Sequence, residues 1–155
     1  MADVQDRRNK IQVPGGMRLH QYANLYFDAR NPMMYKRLAQ VEVLCVLCVS
    51  TDVLNLPGVV ITDQNAASDY VRFYPPRFST FLDFDWICAD DWRHPDDSIA
   101  YYRHKSAKCA EVLVPNTVPP SFIRKAHVVS DTARTALLAT RFSKPVEVMP
   151  RLFFR

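Results

Sequence analysis

Glycine occurs only three times in this chain of 155 residues, at Gly15, Gly16 and Gly58, against eleven prolines. A GxGxxG dinucleotide turn or a Walker loop needs glycine where backbone N–H groups close on a phosphate, so both designs are excluded. The rest of the composition is that of a folded protein: 48% hydrophobic, 23% charged and 12% aromatic residues. That supports one real core and is too short for two ordinary ones, so residues 1–155 are read as a single domain. No run of about 18 apolar residues is present to span a membrane. The N-terminus, with Asp3, Asp6, Arg7 and Arg8, lacks the apolar centre of a signal peptide, and the expected location is the cytoplasm.

The net charge of +4 is unevenly placed. Residues 1–40 carry +4 and residues 98–155 carry +7, while 41–82 carry −2 and 83–97 carry −5. Clustered Lys and Arg gain free energy by releasing counterions from a phosphate backbone, so this asymmetry points to a polyanionic partner. The plainer alternative is that folding mixes the charges into an ordinary surface.

Metal chemistry finds little support. Cys45-Val-Leu-Cys48 is a CxxC, but it lies in Val41–Ser50, a β-branched run that reads as a strand. Side chains three apart on a strand point to opposite faces, so the pair cannot share an ion or close a disulfide there. Buried structural cysteines are expected, with Cys88 and Cys109 isolated. The four histidines show no HExxH, HxH or Cys/His spacing. Asp83, Asp85, Asp90, Asp91, Asp96 and Asp97 invite Mg²⁺, but such a run is more often a solvated loop that also caps helices.

The chain reads as α+β, with short strands separated by irregular segments and no regular βαβ alternation. Strands are expected at 22–27, 41–50, 59–62, 111–114, 127–129 and 146–149. Helices are expected at 33–39 behind Pro32, at 98–105 behind Asp96 and Asp97, and from Ser130 to Thr140. Shorter helical turns are expected at 52–56, 68–74 and after Pro119-Pro120.

Glutamate is the more informative acid, because only Glu42, Glu111 and Glu147 occur. Glu111 opens the apolar run Glu-Val-Leu-Val-Pro directly after the basic segment Arg103-His-Lys-Ser-Ala-Lys108. A carboxylate at the mouth of a strand can hold a hydroxyl or steady a developing positive charge. Its ordinary alternative is a strand-edge charge paired with Lys105 or Lys108.

The segment Tyr22-Ala-Asn-Leu-Tyr-Phe-Asp-Ala-Arg-Asn-Pro-Met-Met-Tyr35 resembles the DarT family of DNA ADP-ribosyltransferase toxins, part of the DarTG toxin–antitoxin systems. That family carries an aromatic strand ending in Tyr-Phe and then x-x-Arg-x-Pro-Met, matched by Tyr26-Phe27-Asp-Ala-Arg30-Asn-Pro32-Met33. The basic pair Arg7-Arg8, the turn Pro57–Asp63 with Asn65-Ala-Ala67, and Lys105–Pro115 match in the same order. The resemblance implies an ADP-ribosyltransferase fold, two small and mainly antiparallel sheets with an NAD⁺ cleft between them. It uses no glycine fingerprint, which reconciles a dinucleotide substrate with three glycines.

By the same resemblance Glu111 orients the nicotinamide ribose and supports an oxocarbenium-like transition state. An early arginine, Arg8 or else Arg7, acts beside the nucleobase and favours loss of its proton. Tyr26, Arg30 and Met33 match positions at the NAD⁺ site. Residues 64–108 match the substrate-reading segment, where Tyr70, Arg72, Lys105 and Lys108 suit stacking and phosphate contacts with single-stranded DNA. The implied co-substrate is NAD⁺ with no metal, and the implied partners are single-stranded DNA and a macrodomain antitoxin of the DarG type, with no membrane. Thymine is the expected base, and an unstacked base makes single-stranded DNA the expected substrate. Family members begin with a strand bearing a Tyr-His-x-Thr-like segment that this sequence lacks. Either the true start lies upstream, or the expectation is a shortened form with weakened NAD⁺ binding. A catalytically silent domain that binds single-stranded DNA or the antitoxin is the alternative from another class, and an RNA- or protein-directed transferase is a third.

Overall fold

The computed structural model describes residues 2–154. Its elements are α1 (Ala2–Asn9), β1 (Tyr22–Tyr26), α2 (Pro32–Tyr35), β2 (Val46–Val49), β3 (Val60–Thr62), β4 (Phe73–Tyr74), α3 (Phe84–Ile87), α4 (Ser98–Ala107), β5 (Glu111–Pro115), β6 (Ile123–Val128), α5 (Asp131–Ala139) and β7 (Val146–Val148). Short 3₁₀ turns join them, one over Leu38–Val43 and a pair over Pro76–Phe81 that meet at a kink at Phe78. Among the described residues no helix is long and apolar enough to cross a membrane. The chain packs as two compact units, each assembled from two separate stretches.

The first unit takes the chain up to Asp28 and then Asp52–Val118. Its sheet has the order β1-β5-β3-β4, antiparallel throughout. β5 is central and nearly all of it is buried, because both of its faces are covered and its sequence is a continuous apolar run. Tyr22, Leu113 and Ala66 pack with Val13 and Leu19 into one core cluster, with Ile11, Met17, Val60 and Phe73 around it. The segment carrying Val13 and Leu19 is folded back on itself: the Val13 N–H donates to Met17 O and the Leu19 N–H to Ile11 O. Gly16 has to be glycine, since a Cβ there would lie 2.3 Å from the Tyr22 hydroxyl oxygen. Gly58, at φ +75°, turns the chain into β3 through the left-handed region. Two aspartates of the acidic run cap helices, Asp83 accepting from the Trp86 N–H and Asp97 from the Ala100 N–H.

The second unit takes Ala29–Thr51 and the chain from Pro119 onward. Its sheet has the order β2-β6-β7, with β2 antiparallel and β7 parallel to β6. The β6-α5-β7 connection is the one crossover joining parallel strands among the described residues. Ser130 caps α5 by accepting from the Ala133 N–H, as expected. Val128, Val129, Ala133 and Phe153 form the core of this unit.

Several expectations need correction. Val41–Val43 wind into a 3₁₀ turn, so the strand expected at 41–50 is confined to Val46–Val49 at the edge of its sheet. With a single strand neighbour, β2 leaves Cys45 exposed and Cys48 half-buried, and Cys88 is exposed as well. Only Cys109 is a buried structural cysteine. The helical turns expected at 68–74 are absent. That stretch closes a turn in which the Arg72 N–H donates to Asp63 Oδ1, and β4 then pairs with β3.

Candidate active site

Antiparallel register sets one row of residues across the first sheet. Tyr26 on β1 is the partner of Glu111 on β5, and Thr62 on β3 is the partner of Phe73 on β4. Thr62 and Glu111 are tied directly: Thr62 Oγ1 accepts from the Glu111 N–H at 2.9 Å and donates to the Gln64 carbonyl at 2.7 Å. Neighbours in such a row point to the same face of a sheet. Glu111 therefore shares its face with Leu113, two residues on, and is turned toward the core rather than toward solvent.

A carboxylate in that position needs a partner, because an isolated buried charge is too costly to keep. Its partner is Arg8, in the last turn of α1. Arg8 Nη1 lies 3.4 and 3.3 Å from the two Glu111 oxygens, and Nη2 lies 3.3 Å from Oε2. The Ala66 N–H donates to Glu111 Oε1 at 3.0 Å. Ala66 is aimed by its neighbours: the Asn65 N–H donates to the Ser106 carbonyl, and Asn65 Oδ1 accepts from the Ala67 N–H at 2.8 Å. The side chains of Arg8 and Glu111 are 10% and 1% exposed. Burial pushes the Glu111 carboxyl above its ordinary value, while Arg8 and the Ala66 N–H pull the other way.

The arginine fork is slack. Good guanidinium–carboxylate bonds run at about 2.8 Å, and all three here are half an ångström longer. Such a pair holds a dry, oriented carboxylate beside a cation. Chemically, this can oppose a positive charge forming nearby and favour deprotonation of a group placed next to the guanidinium.

The other expected residues fall in different places. Arg7 is exposed, 3.9 Å from Asp69, and does not reach Glu111. Tyr26 is half-buried beside Glu111 in the β1–β5 register. Arg30 and Met33 belong to the second unit. There Arg30 Nη1 donates to the Arg151 and Phe153 carbonyls at 2.9 and 3.1 Å, and its guanidinium lies 4.5 Å above the Phe154 ring. Met33 lies in the first turn of α2, its N–H donating to the capping Asn31 side chain. Tyr70 is 86% exposed and Arg72 is exposed with it. Lys105 is half-buried and donates to the Tyr101 hydroxyl at 3.0 Å.

Lys108 departs from the surface cation expected of it. Its side chain is fully buried, with its ammonium bonded to the Asp28 carboxylate and the Ala89 carbonyl. Following the last turn of α4, it enters the core, and its charge serves the fold. Glu111 accordingly pairs with neither Lys105 nor Lys108.

Thr62, Asn65 and Ala66 received no role from sequence alone, although Asn65-Ala-Ala67 was part of the resemblance. Their signal is weak because two of the contacts are made by backbone N–H groups. Among the described residues no group of three His, Cys, Asp or Glu side chains is placed to hold a metal ion.

Residues 1–154 match the family model for DarT, ssDNA thymidine ADP-ribosyltransferase. The chain is 31% identical over 139 residues to a DNA ADP-ribosyl transferase–DNA ADP-ribosyl glycohydrolase fusion protein of Thermosipho africanus, covering 85% of this chain and 34% of that protein. It is 28% identical over 168 residues to a DNA ADP-ribosyl transferase of Thermus sp. strain 2.9, covering 99% of this chain and 77% of that one. The chain thus spans about a third of the first relative and about three quarters of the second. Among solved structures, Thermosipho africanus DarTG in complex with ADP-ribose superposes with a TM-score of 0.81 at 25% identity, over 99% of this chain and 41% of that one. Thermus sp. 2.9 DarT in complex with ADP-ribosylated ssDNA gives a TM-score of 0.83 at 24% identity, over 99% of this chain and 79% of that one, a likeness of fold. The expected α+β fold of two small sheets is the fold of these proteins, and this chain belongs to the DarT family.

Proposed function

We propose that this protein transfers ADP-ribose from NAD⁺ to a base, thymine, of single-stranded DNA. It would act as a bacterial cytoplasmic toxin restrained by a macrodomain antitoxin of the DarG type. The observation that carries this reading is the dry Arg8–Glu111 pair at the head of β5, with Ala66 fixing one carboxylate oxygen. Family membership supplies the reaction class, and the transferase and glycohydrolase joined in the Thermosipho relative support the partner.

In the proposed reaction the C1′–N bond to nicotinamide breaks and a base nitrogen bonds to C1′, losing its proton to solvent. Positive charge grows on the ribose as nicotinamide leaves, and the Glu111 carboxylate opposes it and accepts a ribose hydroxyl. Arg8, beside the same point, favours the deprotonated form of the attacking base. Tyr26 lies next to Glu111 and is assigned to NAD⁺ with Arg30 and Met33, and Tyr70, Arg72 and Lys105 are assigned to the DNA strand. The Arg8 fork covers the carboxylate, so a hydroxyl reaches it only when the fork releases an oxygen. Its slack bonds make that release inexpensive.

Incubation with NAD⁺ and a thymine-containing oligonucleotide should yield an oligonucleotide heavier by one ADP-ribose, and Glu111→Ala should abolish the product. An unshifted mass with the wild-type protein would sink the reading. The same closed fork favours the second reading, a catalytically silent domain that binds DNA or the antitoxin. That reading predicts oligonucleotide binding with no nicotinamide released.

A further inference from the structure

Between Tyr70 and Phe84 the chain places six aromatic residues among Arg72 and Arg77. A soluble protein ordinarily turns such rings inward, and Phe73 does pack on the core. Phe81 does not, and remains 64% exposed. The cause is local. Pro75-Pro76 start a helical turn that kinks at Phe78 (φ −99°, ψ 21°), and a second turn, closed by the Leu82 N–H donating to the Ser79 carbonyl, carries Phe81 back beside it. Phe78 and Phe81 are three apart, and their rings lie parallel, 4° between planes, with centroids 5.4 Å apart. Tyr74 abuts Phe81 edge-on at 5.8 Å, and the Arg77 guanidinium sits 4.7 Å above the Phe78 ring. Arg77 also lines an open cavity of about 390 Å³ with Leu54, Asn55, Pro75 and Pro76.

Two aligned rings, one open to solvent, present a π-face at the surface. Neither Arg72 nor Arg77 is in an ion pair with a carboxylate among the described residues. Aromatic faces flanked by uncommitted cations suit a strand of unpaired bases, since every base has a π-face and every nucleotide a phosphate. The position fits as well. The turn continues β4, and Phe73 on β4 is joined through Thr62 to Glu111, two strand spacings or roughly 10 Å away.

We propose that Phe78, Phe81 and Arg77 form a stacking subsite for a base flanking the nucleotide to be modified. Arg77 meets its phosphate, and the Asn55 amide in the adjoining cavity offers a donor and an acceptor to the base edge. This rests on the reading of single-stranded DNA as substrate.

The test is fluorescence anisotropy with the full chain and a short labelled thymine-containing oligonucleotide at low salt. Phe81→Ala should weaken binding about 5- to 100-fold, with an unchanged melting temperature because the ring is exposed. Phe81→Trp should restore binding. Arg77→Gln should weaken it and lower the slope of log affinity against log salt by about one. Replacing the flanking nucleotide by an abasic one should cost the wild type a similar factor and add little to Phe81→Ala. If Phe81→Ala binds the oligonucleotide as the wild type does, the subsite is overturned while the DNA reading stands. The same holds if that variant loses only a protein partner. If the wild type binds no oligonucleotide, the DNA reading itself falls and the subsite with it.

Discussion

Each sheet carries one strand glutamate paired with a basic side chain, and the two pairs behave in opposite ways. In the first unit Glu111 lies in the core against Arg8, and burial pushes its carboxyl up. In the second, Glu147 on β7 is half-exposed, with Lys125 Nζ 2.9 Å from both oxygens and His127 Nδ1 at 3.5 Å, and Lys125 pulls its carboxyl down. The tighter pair is the exposed one. Short bonds in water hold little energy, whereas a slack pair in the core leaves a charge whose removal the fold notices. Functional weight therefore goes to the carboxylate the protein finds harder to keep.

The largest expected difference comes from deleting the cations. Arg8→Ala leaves a buried carboxylate unpaired and should cost roughly 3–5 kcal/mol in denaturant unfolding at neutral pH. Lys125→Ala should leave the unfolding midpoint within error. Equal effects would break the contrast between buried and exposed pairs. Next, Thr62→Val removes the oxygen that accepts from the Glu111 N–H and should cost about 1–3 kcal/mol. Modification activity should fall further than stability alone explains, because the carboxylate loses its alignment.

Backbone strain occurs in both units, at Asn116 (φ 60°) in the first and at Arg141 (φ 64°) in the second. The turn before β3 meets a positive φ with Gly58, but the residue that ends α5 at φ 64° is Arg141. Arg141→Gly should stabilise the protein by about 0.5–1 kcal/mol, read as a raised midpoint. An unchanged or lowered midpoint would show that the arginine side chain compensates for its backbone.

The smallest effects are titrations followed by carboxyl NMR. Glu111 should titrate above an ordinary glutamate and Glu147 below it, and Arg93 should hold Asp91 at about 2. The signs for stability follow. The Glu111 contribution is present in full below its unfolded pKa and is lost as pH rises through the folded one. Those of Glu147 and Asp91 are present above their unfolded values and are lost as pH falls through the folded ones. In the proposed reaction Glu111 acts ionised against a ribose cation, so activity should rise with pH through its elevated pKa. A Glu111 midpoint below that of Glu147 would refute the burial argument.

Much of this was legible in the chain. Ser130 and Asp97 announce their helices because a capping side chain acts over three residues, and β1, β3 and β5 announce themselves as bounded apolar runs. Glu111 stood out as a carboxylate at the head of such a run. Its partner did not, since Arg8 is more than a hundred residues away and nothing local separates it from Arg7. Lys108 misled for the same reason: a lysine after a basic helix reads as surface until Asp28, eighty residues earlier, is seen to receive it.

Sequence alone determined most of the elements, the exclusion of glycine-based phosphate loops, the family and the carboxylate of interest, because each is written in adjacent residues. Tertiary structure decided which arginine meets Glu111, which lysine is buried and which phenylalanines stack in solvent. Those outcomes depend on strand register and on packing between distant segments, and no local pattern encodes either.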